Sequence, residues 1–172
     1  MHYTHTYRSP LGTIVMASDG ESLTGLWFEG QRYFAATLDA PSEERPLPVF
    51  AQTERWLDRY FRGEDPGPVP PLHLQGTPFR QAVWELLRRI PYGRTTTYGA
   101  LSREIARRQG LASCSAQAVG GAVGHNPVSI LIPCHRVVGS DGSLTGYAGG
   151  IERKVRLLTI ERTDMSSLYV PR

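Results

Sequence analysis

With 172 residues, 40% of them hydrophobic, and a formal net charge of +3, the chain suits one good-sized globular domain or two small ones and excludes wholesale disorder. No apolar run reaches the roughly 18 residues of a membrane span, and the opening MHYTHTYRSPLG has no basic stretch followed by an apolar one, so a cytoplasmic protein with no membrane partner is expected. Charge is divided unevenly: residues 1–74 carry 6 Lys+Arg against 10 Asp+Glu, a net of −4, whereas residues 75–172 carry 13 against 6, a net of +7. The C-terminal part is therefore the candidate for a polyanionic partner, and its cations are nearly all Arg, Lys154 being the only lysine.

Three short strands open the chain. YTHTYRS, LGTIVMAS and SLTGLWFE are separated by SPLG and SDGES, which have turn chemistry, so an antiparallel meander is expected. QRYFAATLDAPSEERPLP is less regular. In VFAQTERWLDRYFRG, Val49, Phe50, Trp56, Leu57, Tyr60 and Phe61 recur at helical intervals, and Gly63 stops the run. Five prolines and two glycines in EDPGPVPPLHLQGTP mark a linker, which divides the chain into domains 1–72 and 73–172. Beyond it Thr77 can cap, and Pro78 can open, a helix with Phe79, Val83, Leu86, Leu87 and Ile90 on its apolar face. A second helix starts near Thr97, with Leu101 and Ile105 one turn apart and Gly110 as its stop. The third, about Ser115 to Gly124, is built almost wholly of small residues. Helix, short turn, helix is compatible with a helix-turn-helix, although many helical hairpins match that pattern.

The thiols Cys114 and Cys134 must each be explained singly, because a reducing compartment disfavours a bridge between them. No CxxC or HxxxH pair occurs and His2, His5, His73, His125 and His135 are scattered, so no metal site is expected. In NPVSILIPCHRVVGSDGSLTGYAGG, Cys134 and His135 lie between an apolar run, read as a buried strand, and a tight glycine-rich turn. A Cys beside an apolar run is most simply a small buried hydrophobe. Here the neighbouring His135 and Arg136 can stabilise a thiolate, the form that nucleophilic chemistry needs.

The run IPCHRV, preceded by AVGGAVGHNP and followed by LTGYAGGIERK, resembles the O6-alkylguanine-DNA alkyltransferases. The resemblance is strong from about Gly76 to Glu161; before that it rests on the SPLG start, the strands followed by a helix, and the length. It implies a ribonuclease-H-like α/β N-terminal domain followed by a mainly α C-terminal domain with a winged helix-turn-helix. The implied activity is DNA repair by direct, stoichiometric transfer of an alkyl group from O6-alkylguanine in duplex DNA to Cys134. Such a protein is consumed in one turnover, needs no cofactor, and binds double-stranded DNA through the minor groove, here as an expected monomer.

By that resemblance Cys134 is the nucleophile, His135 its base through a water, and Glu161 the group that orients His135. Tyr98 matches the tyrosine whose hydroxyl donates to guanine N3 as the base departs, and Asn126 the hinge between the helix-turn-helix and the active-site loop. Tyr147 and Ala148 match the loop over the flipped base, Ala148 offering its backbone N–H to O6 where the family often has Ser. The carbonyls of Cys134 and Val137 would accept from the guanine amine, and Val123 would pack on the base. Gln117, Ala118, Gly121 and Ala122 on the small-residue helix, with Arg136, are the expected DNA contacts; only small side chains let a helix approach the narrow groove closely. One departure stands out: Gln117 occupies the position of the family's intercalating arginine, and Gly124, beside His125, that of a second basic residue. Two alternatives to repair remain at this level: a module that recognises alkylated guanine without repairing it, and a cysteine hydrolase using Cys134, His135 and Glu161.

Overall fold

β-Branched and aromatic residues at the N-terminus build three antiparallel strands, β1 (His2–Ser9), β2 (Gly12–Ser18) and β3 (Leu23–Phe28). The structure is a computed structural model that describes residues 1–38 and 41–172. A fourth strand not expected from the sequence, β4 (Ser42–Glu44), pairs parallel to β1 and completes the order β3-β2-β1-β4. Its three residues, Ser-Glu-Glu, are all exposed and carry no apolar alternation. Gly25 is required inside β3, because a Cβ there would lie 2.0 Å from the Trp27 ring.

Helix α1 (Pro48–Phe61) buries Val49, Phe50, Trp56, Leu57 and Tyr60, as its spacing predicts. Burying each large side chain contributes about 1.5–3 kcal/mol. Gly63 ends the helix at φ +80°, a conformation that favours glycine. The proline-rich segment then folds back: Trp56 Nε1 donates to Gly67 O at 3.1 Å, Leu23 N donates to Pro71 O at 2.8 Å, and His73 N donates to Leu23 O at 2.9 Å.

Those bonds group the linker with the first of two compact units, Met1–Gln75 together with Pro127–Leu131; the second is Gly76–Asn126 with Ile132–Arg172. The expected division at 72/73 leaves residues 127–131 in the second domain, whereas their backbone pairs with β3: Leu26 N donates to Pro127 O at 2.8 Å and Ser129 N to Leu26 O at 2.9 Å. The apolar run expected as a strand is therefore a single bridge at Val128 followed by turns. Pro127 has no N–H to offer a ladder, and Ile130 takes φ +70°.

In the second unit the three expected helices form where their caps place them: α2 (Pro78–Leu87), α3 (Tyr98–Arg108) and α4 (Ala116–Gly124). Thr77, Thr97 and Ser115 accept from the backbone N–H of Arg80, Ala100 and Ala118, each cap contributing about 1 kcal/mol. Trp84 Nε1 donates to Ala122 O at 2.8 Å and ties α2 to α4, on which α3 also packs. Two-residue strands β5 (Thr96–Thr97) and β6 (Val137–Val138) pair in parallel, and a 3-10 turn spans Cys134–Arg136. The last helix, α5 (Ile151–Ile160), was not anticipated; it buries Lys154, Leu157 and Leu158. Leu158 packs with Val138 and Leu144, flanked by Val155, Met165 and Leu168. No helix among the described residues is long and apolar enough to cross a membrane.

Candidate active site

Cys134 opens the 3-10 turn, its N–H donating to Ile132 O at 2.8 Å, and is 6% exposed. The buried Asn126 spans the same turn: Nδ2 donates to Ile132 O at 2.7 Å, and the side chain also hydrogen-bonds Cys134. Burial pushes the Cys134 thiol up, against the Asn126 hydrogen bond and the charge of Lys154, which favour the thiolate. The resting group is thus a thiol, and a nucleophile forms only when a base accepts its proton.

The next residue is the candidate for that base. His135 is fully buried and its Nε2 lies 2.5 Å from Glu161 Oε2. Glu161 is an acceptor, so Nε2 carries the hydrogen and Nδ1 is the basic nitrogen. Burial lowers the His135 pKa, reinforced by the charges of Arg136 and Lys154 and opposed by Glu161, so the ring rests neutral. Burial would raise Glu161, but the hydrogen bonds and charges of His135 and Arg136 bring its carboxyl down to about 2.

Arg136 departs from the expectation of a DNA contact. It is 8% exposed; Nε donates to Glu161 Oε1 at 2.8 Å and Nη1 to Ile90 O at 2.7 Å, with the guanidinium over the Tyr92 ring. Gly93 N also donates to Glu161 Oε1, at 3.0 Å. A guanidinium committed to internal acceptors does not reach a phosphate.

Lys154 is a member of the site that was not expected from the sequence. Its Nζ, in a fully buried side chain, donates to Val137 O at 2.5 Å and Thr145 O at 2.8 Å. Burial lowers its pKa to about 8 while Cys134 opposes the change. Its being the only lysine was the one available signal. Val137 O, expected to meet a guanine amine, already holds this donor on one lone pair.

Tyr98, half-buried at the start of α3, donates its hydroxyl to Thr145 O at 3.3 Å. Burial, with Cys134 nearby, pushes it up to about 12, so it remains a hydrogen-bond donor at neutral pH. Gly146 is needed beside it, since at φ +78° its Cβ would lie 2.7 Å from Tyr98 Oη. Tyr147 is buried with its ring edge-on to His135 at 6.4 Å, and Ala148 is half-buried.

On α4, Gln117, Ala118 and Gly121 are exposed. A Cβ built on Gly120, Gly121 or Gly124 would meet nothing within 4 Å, so close packing within the fold does not explain these glycines. Ala122, expected on DNA, is instead 2% exposed; Val119, Ala122 and Val123 form the buried stripe of the helix. Val123, expected against the base, is likewise 2% exposed. Cys114 is partly exposed, whereas Cys134 is buried. No cluster of three or more His, Cys, Asp or Glu among the described residues could hold a metal.

Residues 78–163 match the family profile described as 6-O-methylguanine DNA methyltransferase, DNA binding domain, and residues 2–67 match its ribonuclease-like domain. This agrees with the expected order of an α/β first part and a mainly helical second. A methylated-DNA–protein-cysteine methyltransferase of Haemophilus influenzae is 44% identical over 94% of this chain and 87% of its own. One of Mycobacterium bovis is 42% identical over 95% and 93%. The crystal structure of Mycobacterium tuberculosis OGT in complex with DNA superposes with a TM-score of 0.79 at 41% identity, covering 93% of this chain and 92% of that one. The chain belongs to the 6-O-methylguanine DNA methyltransferase family.

Proposed function

We propose that this protein repairs O6-alkylguanine in duplex DNA by taking the alkyl group onto Cys134, once per molecule. The observation that carries the reading is a buried thiol beside a neutral His135 that is itself held by an ionised Glu161. His135, through a water, takes the Cys134 proton; the thiolate attacks the sp3 carbon on O6, a C–S bond forms and the C–O bond breaks. The released electron pair goes to guanine, where the Tyr98 hydroxyl meets the developing charge at N3 and the Ala148 N–H supports O6. In sum the alkyl group replaces the thiol hydrogen and guanine regains its N1 proton. A thioether is a very poor leaving group, so the protein is spent.

The target atom lies inside the duplex and the nucleotide must be rotated out, at a cost of a few kcal/mol. The open small-residue face of α4 suits the minor groove, with Gln117 filling the vacated space and the basic second half of the chain meeting phosphates. Asn126 holds the turn that carries Cys134, and Tyr147 closes the pocket over the base. The reading places the protein in the cytoplasm, where its thiols stay reduced, acting as a monomer.

Replacing Cys134 tests it. Cys134→Ser abolishes transfer and leaves DNA binding within a few-fold, because a neutral alcohol is a far weaker nucleophile than a thiolate. Cys114→Ser changes little. Methyl found on Cys114 by peptide mass mapping would overturn the assignment.

A further inference from the structure

Glu161 uses its two oxygens differently. Oε2 faces His135 Nε2 at 2.5 Å, whereas Oε1 takes the Arg136 Nε at 2.8 Å and the Gly93 N–H at 3.0 Å. Arg136 is in turn fixed at its far end by Ile90 O at 2.7 Å and by the Tyr92 ring. The Glu161 side chain is 0% exposed and that of Arg136 9%. An arginine so enclosed next to the candidate base is not explained by DNA binding, and the catalytic steps above do not use it.

We propose that Arg136 is a positioning residue of the transfer reaction: it fixes Glu161 through one oxygen and keeps His135 unprotonated, ready to take the Cys134 proton. This rests on the roles given above to Cys134 and His135. Two physical effects combine. The planar guanidinium binds two acceptors at a fixed angle, so the carboxylate cannot rotate away from the imidazole. Its positive charge also opposes a second positive charge on His135 at short range in a dry interior.

The groups facing His135 are Arg136 and Cys134 from its own turn, Lys154 and Glu161 from within and just after α5, and Tyr147 from the loop between them. The two cations disfavour an imidazolium; Glu161 favours one. With Arg136 removed, the buried pair of His135 and Glu161 carries a net negative charge and takes up a proton at higher pH than in the native protein. The base is then protonated to a higher pH than in the native protein. Transfer recovers as pH rises.

The test measures single-turnover transfer from a single-stranded oligonucleotide carrying O6-methylguanine, so that base flipping does not enter, from about pH 6 to about pH 9. Native protein is compared with Arg136→Met, Arg136→Gln and Arg136→Lys, together with their affinities for undamaged duplex. Removing the charge in Arg136→Met and Arg136→Gln is expected to move the acid limb of the rate profile to higher pH. Their deficit at about pH 6.5 should then exceed that at about pH 8.5 several-fold. Arg136→Lys, which keeps a charge without the fork, should hold the native limb with a smaller, pH-independent loss. If Arg136→Met does not fold, the contrast between Gln and Lys decides.

A deficit equal at every pH in the charge-free variants overturns the proposal, and so does an acid limb that moves to lower pH. Lost duplex affinity with an unchanged rate profile also overturns it and returns Arg136 to a DNA contact. Failure of the native protein itself to alkylate Cys134 rejects the underlying reaction, a result independent of any Arg136 variant.

Discussion

Replacing Glu161 with Gln keeps the size of the side chain and removes its charge. In the native protein this carboxylate, 2% exposed, receives His135, Arg136 and the Gly93 N–H. Carrying Glu161 from an ordinary 4.5 to about 2 on folding corresponds to about 3 kcal/mol of stabilisation. An independent route gives a similar figure: removing one partner of a buried ion pair costs about 3–5 kcal/mol, because Arg136 is left as an uncompensated charge. At roughly 2–4 °C per kcal/mol for a chain of this size, the variant should melt about 6–20 °C lower. The folded-state value lies below the unfolded one, so the stabilisation is complete above about pH 4.5 and is lost as pH falls toward 2. The gap between native protein and Glu161→Gln should therefore close on acidification. Urea unfolding followed through the amide signals of α2, α4 and α5 measures it in the unit concerned. A cost below about 1 kcal/mol at neutral pH, or a gap unchanged near pH 3, would refute an ionised, charge-paired Glu161.

Three further outcomes follow from the site. Gly121→Leu should weaken binding to duplex DNA by about tenfold or more, about 1.4 kcal/mol, without loss of stability, because a Cβ at Gly121 meets nothing within 4 Å; unchanged duplex binding would remove α4 from the groove. Gln117→Arg should speed repair within a duplex about tenfold if about 1.4 kcal/mol of flipping energy is recovered, and leave repair of a single strand unchanged. An equal gain on both substrates would place residue 117 in the chemistry instead. Tyr98→Phe should slow transfer by about a hundredfold, as loss of a transition-state donor does, with a native melting temperature because its bond to Thr145 O is long, at 3.3 Å; a native rate would discard the donor role.

What could be read from the sequence was mostly short-range. Thr77 was expected to cap a helix because a hydroxyl accepts from an N–H three residues ahead, and the structure has that bond; Thr97 and Ser115, near which the next two helices were expected to start, cap them in the same way. Cys134, His135 and Glu161 came from motif resemblance, and the structure brings the last two into contact. Long-range pairing decided the rest. Val128–Ile132 looked like a strand by composition, yet Pro127 and Ile130 limit it to a bridge on β3. Helix α5 was hidden by Glu152, Arg153, Lys154 and Arg156, four charges that mask the apolar spacing of Leu157 and Leu158. Arg136 was expected on DNA and Lys154 drew no role, because only the fold supplies Glu161, Ile90 O, Val137 O and Thr145 O as their buried partners. Ala122 was grouped with its exposed neighbours on α4, although its carbonyl meets Trp84.

The most direct measurement mixes the protein with duplex DNA carrying one O6-methylguanine labelled in the methyl group, and follows label on protein against time. Transfer should rise to one equivalent per molecule and stop, with all of the label on the peptide that contains Cys134. Continued turnover, or tight binding of the damaged duplex with no label transferred, would contradict a self-consuming alkyl transfer to Cys134.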